Sequence, residues 1–276
     1  MMQLWCNGQW LDPLDFPVSP MDRGAILGLG LFETMLGLDG QPVFADRHLG
    51  RLAKSCERLG WPAPPAGLGP IMTELLVKNE LTTGRARIRL AMTAGSGPTN
   101  DISLGTDPLM WMVAMPVGEP QMNLIANISP WPRNERSPLA GLKCASYAEN
   151  LIALDYARRQ GFEETIFLNT SGHLCEAATA NLFLIKDGVL LTPSLDSGCL
   201  PGIAREIVLD LAGRCRLTRE ERPLTLEDLK TADEVFLTSS IRGLANVSHV
   251  GEQPYSKGMI VARLREYWNV EIESGI

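Results

Sequence analysis

Lysine is scarce in this chain. Its 276 residues include six lysines against nineteen arginines, and only three histidines. No basic run is longer than two residues (Arg158-Arg159), and the net charge is -7. Nucleic acid is therefore not an expected partner, because phosphate binding needs clustered Lys and Arg. No stretch of about eighteen uncharged apolar residues exists, so no membrane span is expected. Residues 1–13 lack a basic segment followed by an apolar one, so no secretory leader is expected. The cysteines (Cys6, Cys56, Cys144, Cys175, Cys199 and Cys215) form no Cys-x-x-Cys pair. With only His48, His173 and His249 to add, a metal cage has little to draw on. Scattered free thiols fit a reducing cytoplasm. There is no internal repeat and no low-complexity tract.

What is present is ordinary in bulk. Hydrophobic content is 45% and charged content 21%, enough for one large domain or two medium ones. Residues 3–10 read as an opening hairpin. Residues 31–38, the Asp39-Gly40 pair and residues 41–44 read as strand, tight turn, strand. Residues 45–59 form the best early helix, with Leu49, Leu52, Ala53 and Cys56 on one face and Gly60 at its end. Residues 68–78 form a second helix, 86–93 an alternating strand and 109–115 a short buried strand. Composition shifts to Pro and Gly at 116–120, the candidate linker. Beyond it, strands are expected at 123–128, 164–168, 180–185, 190–191 and 235–238. Helices are expected at 147–159, 203–211, 226–229 and 261–268.

Four features carry chemistry. Lys143 lies in Gly141-Leu142-Lys143-Cys144-Ala145-Ser146-Tyr147, with no second charge before Glu149. A desolvated lysine amine has a lowered pKa and forms Schiff bases with carbonyl compounds; taken alone, a solvated strand-end lysine is the plainer reading. Cys144 beside it reads as a packing residue. Thirty-three residues on, Glu176 stands alone among alanines ahead of an apolar strand, where a part-buried carboxylate needs a partner or caps a turn. Twenty-six residues further, Leu200-Pro201-Gly202-Ile203-Ala204-Arg205 opens a helix, and free N–H groups there can receive an anion. Thr238-Ser239-Ser240 adds hydroxyls at a strand end, though such residues also form turns. An amine for an aldehyde, a carboxylate for a pyridinium and donors for a phosphate together fit pyridoxal 5′-phosphate.

At this point the sequence resembles the class IV (fold-type IV) pyridoxal-phosphate enzymes, a family that includes branched-chain and D-amino-acid aminotransferases and 4-amino-4-deoxychorismate lyase. The likeness runs through Asp22-Arg23-Gly24, Gly28-Leu29-Gly30-Leu31-Phe32-Glu33-Thr34 and His48-Leu49-Gly50-Arg51-Leu52. It continues through Lys143 with Tyr147 and Asn150, Glu176 with Asn181-Leu182-Phe183, Gly202-Ile203-Ala204-Arg205 and Thr238-Ser239-Ser240. It implies a two-domain α/β (α+β) fold like that of D-amino-acid aminotransferase, with the site at the domain interface and completed by a second subunit. The domains implied are a small N-terminal α/β domain over 1–117, a linker and first strand over 118–128, and a larger C-terminal domain over 129–276 carrying the cofactor lysine.

By the same resemblance, Lys143 is the catalytic lysine that binds the cofactor and shuttles the proton. Glu176 pairs with the pyridine nitrogen, and Arg51 binds the phosphate. Ile203 and Ala204 supply backbone donors, with Ala204 standing where the family usually has threonine. Ser239 and Ser240 bring hydroxyls to the phosphate. His48 reads as structural, and Asp22 and Arg23 as residues that hold the loop before Gly28. Arg89, Tyr147 and Arg242 are the candidate substrate contacts; Arg89 could bind a carboxylate bidentately or simply be exposed.

Gly28-Leu29-Gly30 and Ser239-Ser240-Ile241-Arg242-Gly243 are nearest in texture to aminodeoxychorismate lyase, although Ser239 replaces asparagine and Met92-Thr93-Ala94-Gly95 lacks an arginine. The expected reaction is 4-amino-4-deoxychorismate to 4-aminobenzoate and pyruvate, a step of folate biosynthesis. Lys143 would remove the proton from the amino-bearing carbon. The alternatives are a class IV aminotransferase of branched-chain or D-amino acids with a 2-oxo acid acceptor, and a non-catalytic cofactor-binding homologue. A cytoplasmic homodimer acting on a small amino substrate is expected.

Overall fold

A computed structural model of the chain describes residues 2–256 and 258–275. The chain divides into two compact units. The first comprises the chain up to Glu119, the segment Leu142–Tyr147 and the end from Ser274; the second comprises Pro120–Gly141 and Ala148–Glu273. The expected break near residue 117 thus falls at 119/120. Lys143, expected in the C-terminal domain, lies on a segment that packs with the first unit.

The first unit contains strands β1 (Leu4–Cys6), β2 (Gln9–Leu11), β3 (Gly30–Leu38), β4 (Gln41–Pro42), β5 (Arg85–Thr93) and β6 (Met110–Pro116). Its helices are α1 (Arg23–Leu27), α2 (Ala45–Arg58) and α3 (Leu68–Lys78). The strands form one antiparallel sheet in the order β2-β1-β6-β5-β3-β4. Asp39 and Gly40 both have positive φ, as a tight β3–β4 turn requires. In β5, Ala86, Ile88 and Leu90 are buried while Arg87 and Arg89 are exposed, the period-two signature of a strand with one face on a core. That core joins Met35, Ile88, Leu90 and Met112 of the sheet to Leu52, Cys56, Met72, Leu75 and Leu76 of the helices. The buried face of α2 is His48, Leu52, Ser55 and Cys56, turned from the expected apolar stripe because His48 finds a charged partner inside.

Asp22 and Arg23 were expected to hold the loop before Gly28; Arg23 instead holds the loop over 94–103, while Asp22 caps α1. Arg23 is fully buried, and its guanidinium donates to the carbonyls of Ala94, Gly95, Asp101 and Ser103. Asp22 caps α1 through the Gly24 N–H and accepts from the Thr93 hydroxyl.

Among the described residues the second unit has nine strands: β7 (Asn123–Ile128), β8 (Glu164–Leu168), β9 (Leu174–Ala177), β10 (Asn181–Lys186), β11 (Val189–Pro193), β12 (Arg219–Arg222), β13 (Glu234–Ser239), β14 (Gly243–Val250) and β15 (Gln253–Pro254). Its helices are α4 (Ala148–Arg159), α5 (Ile203–Arg214), α6 (Leu226–Lys230) and α7 (Met259–Ser274). The sheet runs β12-β11-β10-β13-β14-β7-β8-β9, with β15 on β14. The β11/β12, β14/β7 and β7/β8 pairs are parallel and the rest antiparallel. Phe183 and Phe236 stack across β10 and β13 at 5.0 Å. Glu234 receives the Ile260 and Val261 N–H groups at the start of α7, an anionic cap on the positive end of a helix. Among the described residues no helix is long and apolar enough to cross a membrane.

Candidate active site

Lys143 is placed by a short strand-like pairing. β4 covers only the Gly37–Leu38 end of β3. The other end of that edge receives the lysine segment: Phe32 N–H donates to Lys143 O at 2.9 Å and Ala145 N–H to Gly30 O at 2.8 Å. Two glycines permit this approach. A Cβ on Gly30 would lie 2.6 Å from Met92 O and 3.3 Å from Ala145 Cβ. Gly28 has φ +68°, and a Cβ there would lie 2.6 Å from Ser146 Oγ, which donates to Gly28 O. The Gly28-Leu29-Gly30 spacing therefore has a mechanical reason: it lets the lysine segment dock.

Around Phe32 the first unit gathers a second aromatic ring, Tyr147, and two cations, Lys143 and Arg89. Lys143 Nζ lies 4.5 Å from the Phe32 ring centroid, and the Arg89 guanidinium carbon 3.9 Å from the same centroid. Tyr147 meets Phe32 edge-on at 5.4 Å, with Lys143 Nζ 5.5 Å from its own ring. Such contacts hold cations through the ring quadrupole. Desolvation pulls the Arg89 pKa down, and Tyr147 partly offsets it. The sequence candidates Lys143, Tyr147 and Arg89 are thus brought together, and Phe32 is the organiser that sequence reasoning missed.

Glu33, the neighbour of Phe32, organises Arg51 and His48. Its Oε1 accepts from Arg51 Nε at 2.8 Å. Its Oε2 accepts from Arg51 Nη2 at 2.6 Å and from His48 Nδ1 at 2.7 Å. Burial alone would raise the Glu33 pKa, but the hydrogen bonds from His48 and Arg51, with the Arg51 charge, hold it at about 2. Burial lowers the His48 pKa; Glu33 opposes that, while the charges of Arg51 and Lys143 reinforce it. The result is an ionised carboxylate, an arginine and a neutral imidazole.

In the second unit, Glu176 lies on β9. Its Oε2 accepts the Leu200 N–H at 3.0 Å, and its Oε1 lies 3.7 Å from Arg133 Nη2. Arg133, which no sequence motif flagged, is pinned by Glu149 at 2.8 Å and stacks over Phe167 at 4.3 Å. Its Nε and Nη2 are buried without a hydrogen-bond partner. Leu200 also accepts from Asn181 Nδ2, so one loop residue ties Glu176 to the start of β10.

That loop ends at Gly202, the N-cap of α5, which makes no side-chain capping bond. A Cβ on Gly202 would collide with Asn181 Oδ1. The first-turn residues Ile203 and Ala204 have N–H groups with no intrahelical acceptor, as at any helix start. Thr238 pairs with Asn181 across the sheet, and its buried hydroxyl has no hydrogen-bond partner. Ser239 Oγ accepts the Arg242 N–H at 3.2 Å, and Ser240 follows in the β13–β14 turn. Arg242 itself reaches toward Glu164, with Nη1 3.9 Å from Oε2. The first unit thus supplies an aldehyde-reactive amine, and the second a carboxylate beside an arginine, free helix-start N–H groups and a buried orphaned hydroxyl; these donor types are the ones that fit pyridoxal 5′-phosphate. The six cysteines are free thiols, and Cys144 packs against the first-unit core.

Comparison with known proteins agrees with that donor set. Residues 30–250 match the model of the class IV amino-transferases, and the chain belongs to that family. Its curated relatives include the branched-chain-amino-acid aminotransferase of Escherichia coli, 29% identical over 90% of this chain and 84% of that one. The aminodeoxychorismate lyase of Bacillus subtilis is 26% identical over 99% and 96%. Among solved structures, a putative 4-amino-4-deoxychorismate lyase from Legionella pneumophila superposes with TM-score 0.89, at 27% identity over 94% and 97%. The branched-chain aminotransferase of Escherichia coli superposes with TM-score 0.88, at 25% identity over 99% and 96%. The fold is that of the fold-type IV enzymes, and the protein is a pyridoxal-phosphate-dependent enzyme.

Proposed function

We propose that the enzyme is an aminodeoxychorismate lyase, converting 4-amino-4-deoxychorismate to 4-aminobenzoate and pyruvate. The observation that carries this reading is the arginine pair facing one side of β5. Arg87 and Arg89 are two residues apart on the exposed face, and Arg89 shares the Phe32 ring with Lys143. Two guanidiniums and a flat aromatic wall suit a cyclic substrate with two carboxylates better than a branched aliphatic side chain. The Ser239-Ser240-Ile241-Arg242-Gly243 turn and the Legionella pneumophila structure support the same branch.

When bound, pyridoxal 5′-phosphate supplies an electron sink for the carbanion formed next to the substrate nitrogen. Lys143 Nζ would hold the cofactor aldehyde in the resting enzyme and, as a free amine once substrate is bound, would take the proton from the amino-bearing carbon. Glu176, with Arg133 Nη2 3.7 Å from its Oε1, would accept the pyridinium N–H. Arg51, the N–H groups of Ile203 and Ala204, and the hydroxyls of Ser239 and Ser240 take the phosphate, with Thr238 as a further donor. Arg89 takes a substrate carboxylate, and Tyr147 and Arg242 complete the substrate contacts.

A second reading, an aminotransferase of branched-chain or D-amino acids, is favoured by relatives of that activity at similar or higher identity. The test is turnover of aminodeoxychorismate with no keto acid added. Release of 4-aminobenzoate and pyruvate is expected. Turnover of L- or D-amino acids that requires 2-oxoglutarate, without lyase activity, overturns the lyase in favour of the transaminase. We further read the protein as a cytoplasmic homodimer, from its free thiols and its resemblance; sedimentation at the 30.2 kDa monomer mass would exclude the dimer.

A further inference from the structure

We infer that Glu33 and His48 are positioning residues that aim the Arg51 guanidinium at the cofactor phosphate. This rests on the reading of Arg51 as a phosphate ligand. Arginine is a flexible side chain, and its planar fork is useful only when its plane is fixed. Glu33 fixes it by accepting from both Nε and Nη2 along one edge, at 2.8 and 2.6 Å. His48, one helical turn before Arg51 on α2, holds Glu33 from the other side at 2.7 Å. The Glu33 and His48 side chains are each 1% exposed and that of Arg51 10%, so the cluster is set by packing.

The tautomer follows from the charges. An ionised carboxylate only accepts hydrogen bonds, so the imidazole must carry its hydrogen on Nδ1. That leaves a lone pair on Nε2, which is buried and has no partner. An unsatisfied buried group is unusual enough to require a reason beyond stability. The cluster's net charge is then zero: one carboxylate, one guanidinium, one neutral ring. Its use to a phosphate is direction, not excess positive charge.

Direction and charge predict opposite signs. Neutralising Glu33 adds a net positive charge, which by charge alone tightens phosphate binding; if Glu33 aims Arg51, the same change loosens it. The experiment titrates apoprotein with pyridoxal 5′-phosphate and with pyridoxal, which lacks the phosphate, and reads the ratio of the two Kd values. Glu33→Gln and His48→Phe are each expected to shrink the preference for the phosphorylated form by about tenfold, the scale typical of supports behind ligating groups. Pyridoxal binding should stay within about twofold, and His48→Asn, whose amide nitrogen stands where Nδ1 stands and can donate to Glu33, should restore the preference. A preference unchanged or increased in Glu33→Gln and His48→Phe overturns the inference. Should Glu33→Gln fail to fold, the two His48 variants decide. Arg51→Met separates the two levels. If it keeps the wild-type preference, Arg51 is not the phosphate ligand. If it loses the preference while the Glu33 and His48 variants keep it, only the positioning role falls.

Discussion

Two carboxylates, Glu33 in the first unit and Glu164 in the second, are almost completely buried, at 1% and 0% exposed, yet their environments push them in opposite directions. Glu33 accepts two bonds from Arg51 and one from His48, and its pKa is held at about 2. Glu164 has the Thr179 hydroxyl at 2.5 Å, its own neighbour's N–H, and the Arg242 guanidinium no nearer than 3.9 Å. There, burial outweighs the favourable contacts and raises the pKa. Desolvation is common to both, and what separates them is whether a cation donates directly to the oxygens.

The largest effect is expected from Glu33→Ala. It strands Arg51 inside the protein without its counter-charge, and breaking a buried pair by removing one partner costs about 3–5 kcal/mol. Urea unfolding at pH 7 should show it; a loss below about 1 kcal/mol would mean that the cluster is not a stabilising unit. The pH dependence has a definite sign. A carboxyl lowered in the folded state contributes stability that is present above its unfolded pKa, near ~4.3, and lost as pH falls toward its folded value of about 2. The difference in stability between wild type and Glu33→Ala should therefore narrow between about pH 5 and pH 2.

Glu164→Gln should behave oppositely and more mildly. A carboxyl raised in the folded state contributes stability that is full below the unfolded pKa and is lost as pH rises through the folded value. Glutamine mimics the protonated form. The variant should match wild type near pH 4 and equal or exceed it at pH 7, within about 1–2 kcal/mol. A large loss at pH 7 would show that Glu164 works as an anion, and the contrast with Glu33 would vanish.

The contrast also marks how far the sequence could be read. Helices and strands with regular apolar spacing were legible: α3 falls on residues 68–78 as expected, and β7 on 123–128. β12 was not, because Arg219–Arg222 is wholly polar and exists by parallel pairing to β11. Nor was β14, whose Gly243–Val250 run has an irregular apolar pattern and a register shift near His249. Among the proposed site residues, Lys143, Glu176 and Arg51 stand in motifs that the sequence displays. Glu33 appeared only inside a motif and Arg133 not at all, because their roles come from contacts eighteen and forty-three residues away in sequence. His48 read as structural; its orphaned Nε2 can be seen only once Glu33 is known to fix the tautomer.

The smallest effect is expected from Arg242→Gln. At 3.9 Å and without a hydrogen bond, the guanidinium acts on Glu164 through charge alone, and its side chain is 24% exposed. Its removal should change stability at pH 7 by less than about 1 kcal/mol and push the Glu164 pKa further up. A double-mutant cycle with Glu164→Gln isolates the pair. If Glu164 is protonated at pH 7, the coupling should be near zero there and should emerge only at higher pH, where the carboxyl ionises. A coupling above about 2 kcal/mol at pH 7 would show a true ion pair like that of Glu33 with Arg51. If Arg242 is also a substrate contact, the same variant raises KM while leaving the melting temperature in place, which separates its role in catalysis from its influence on Glu164.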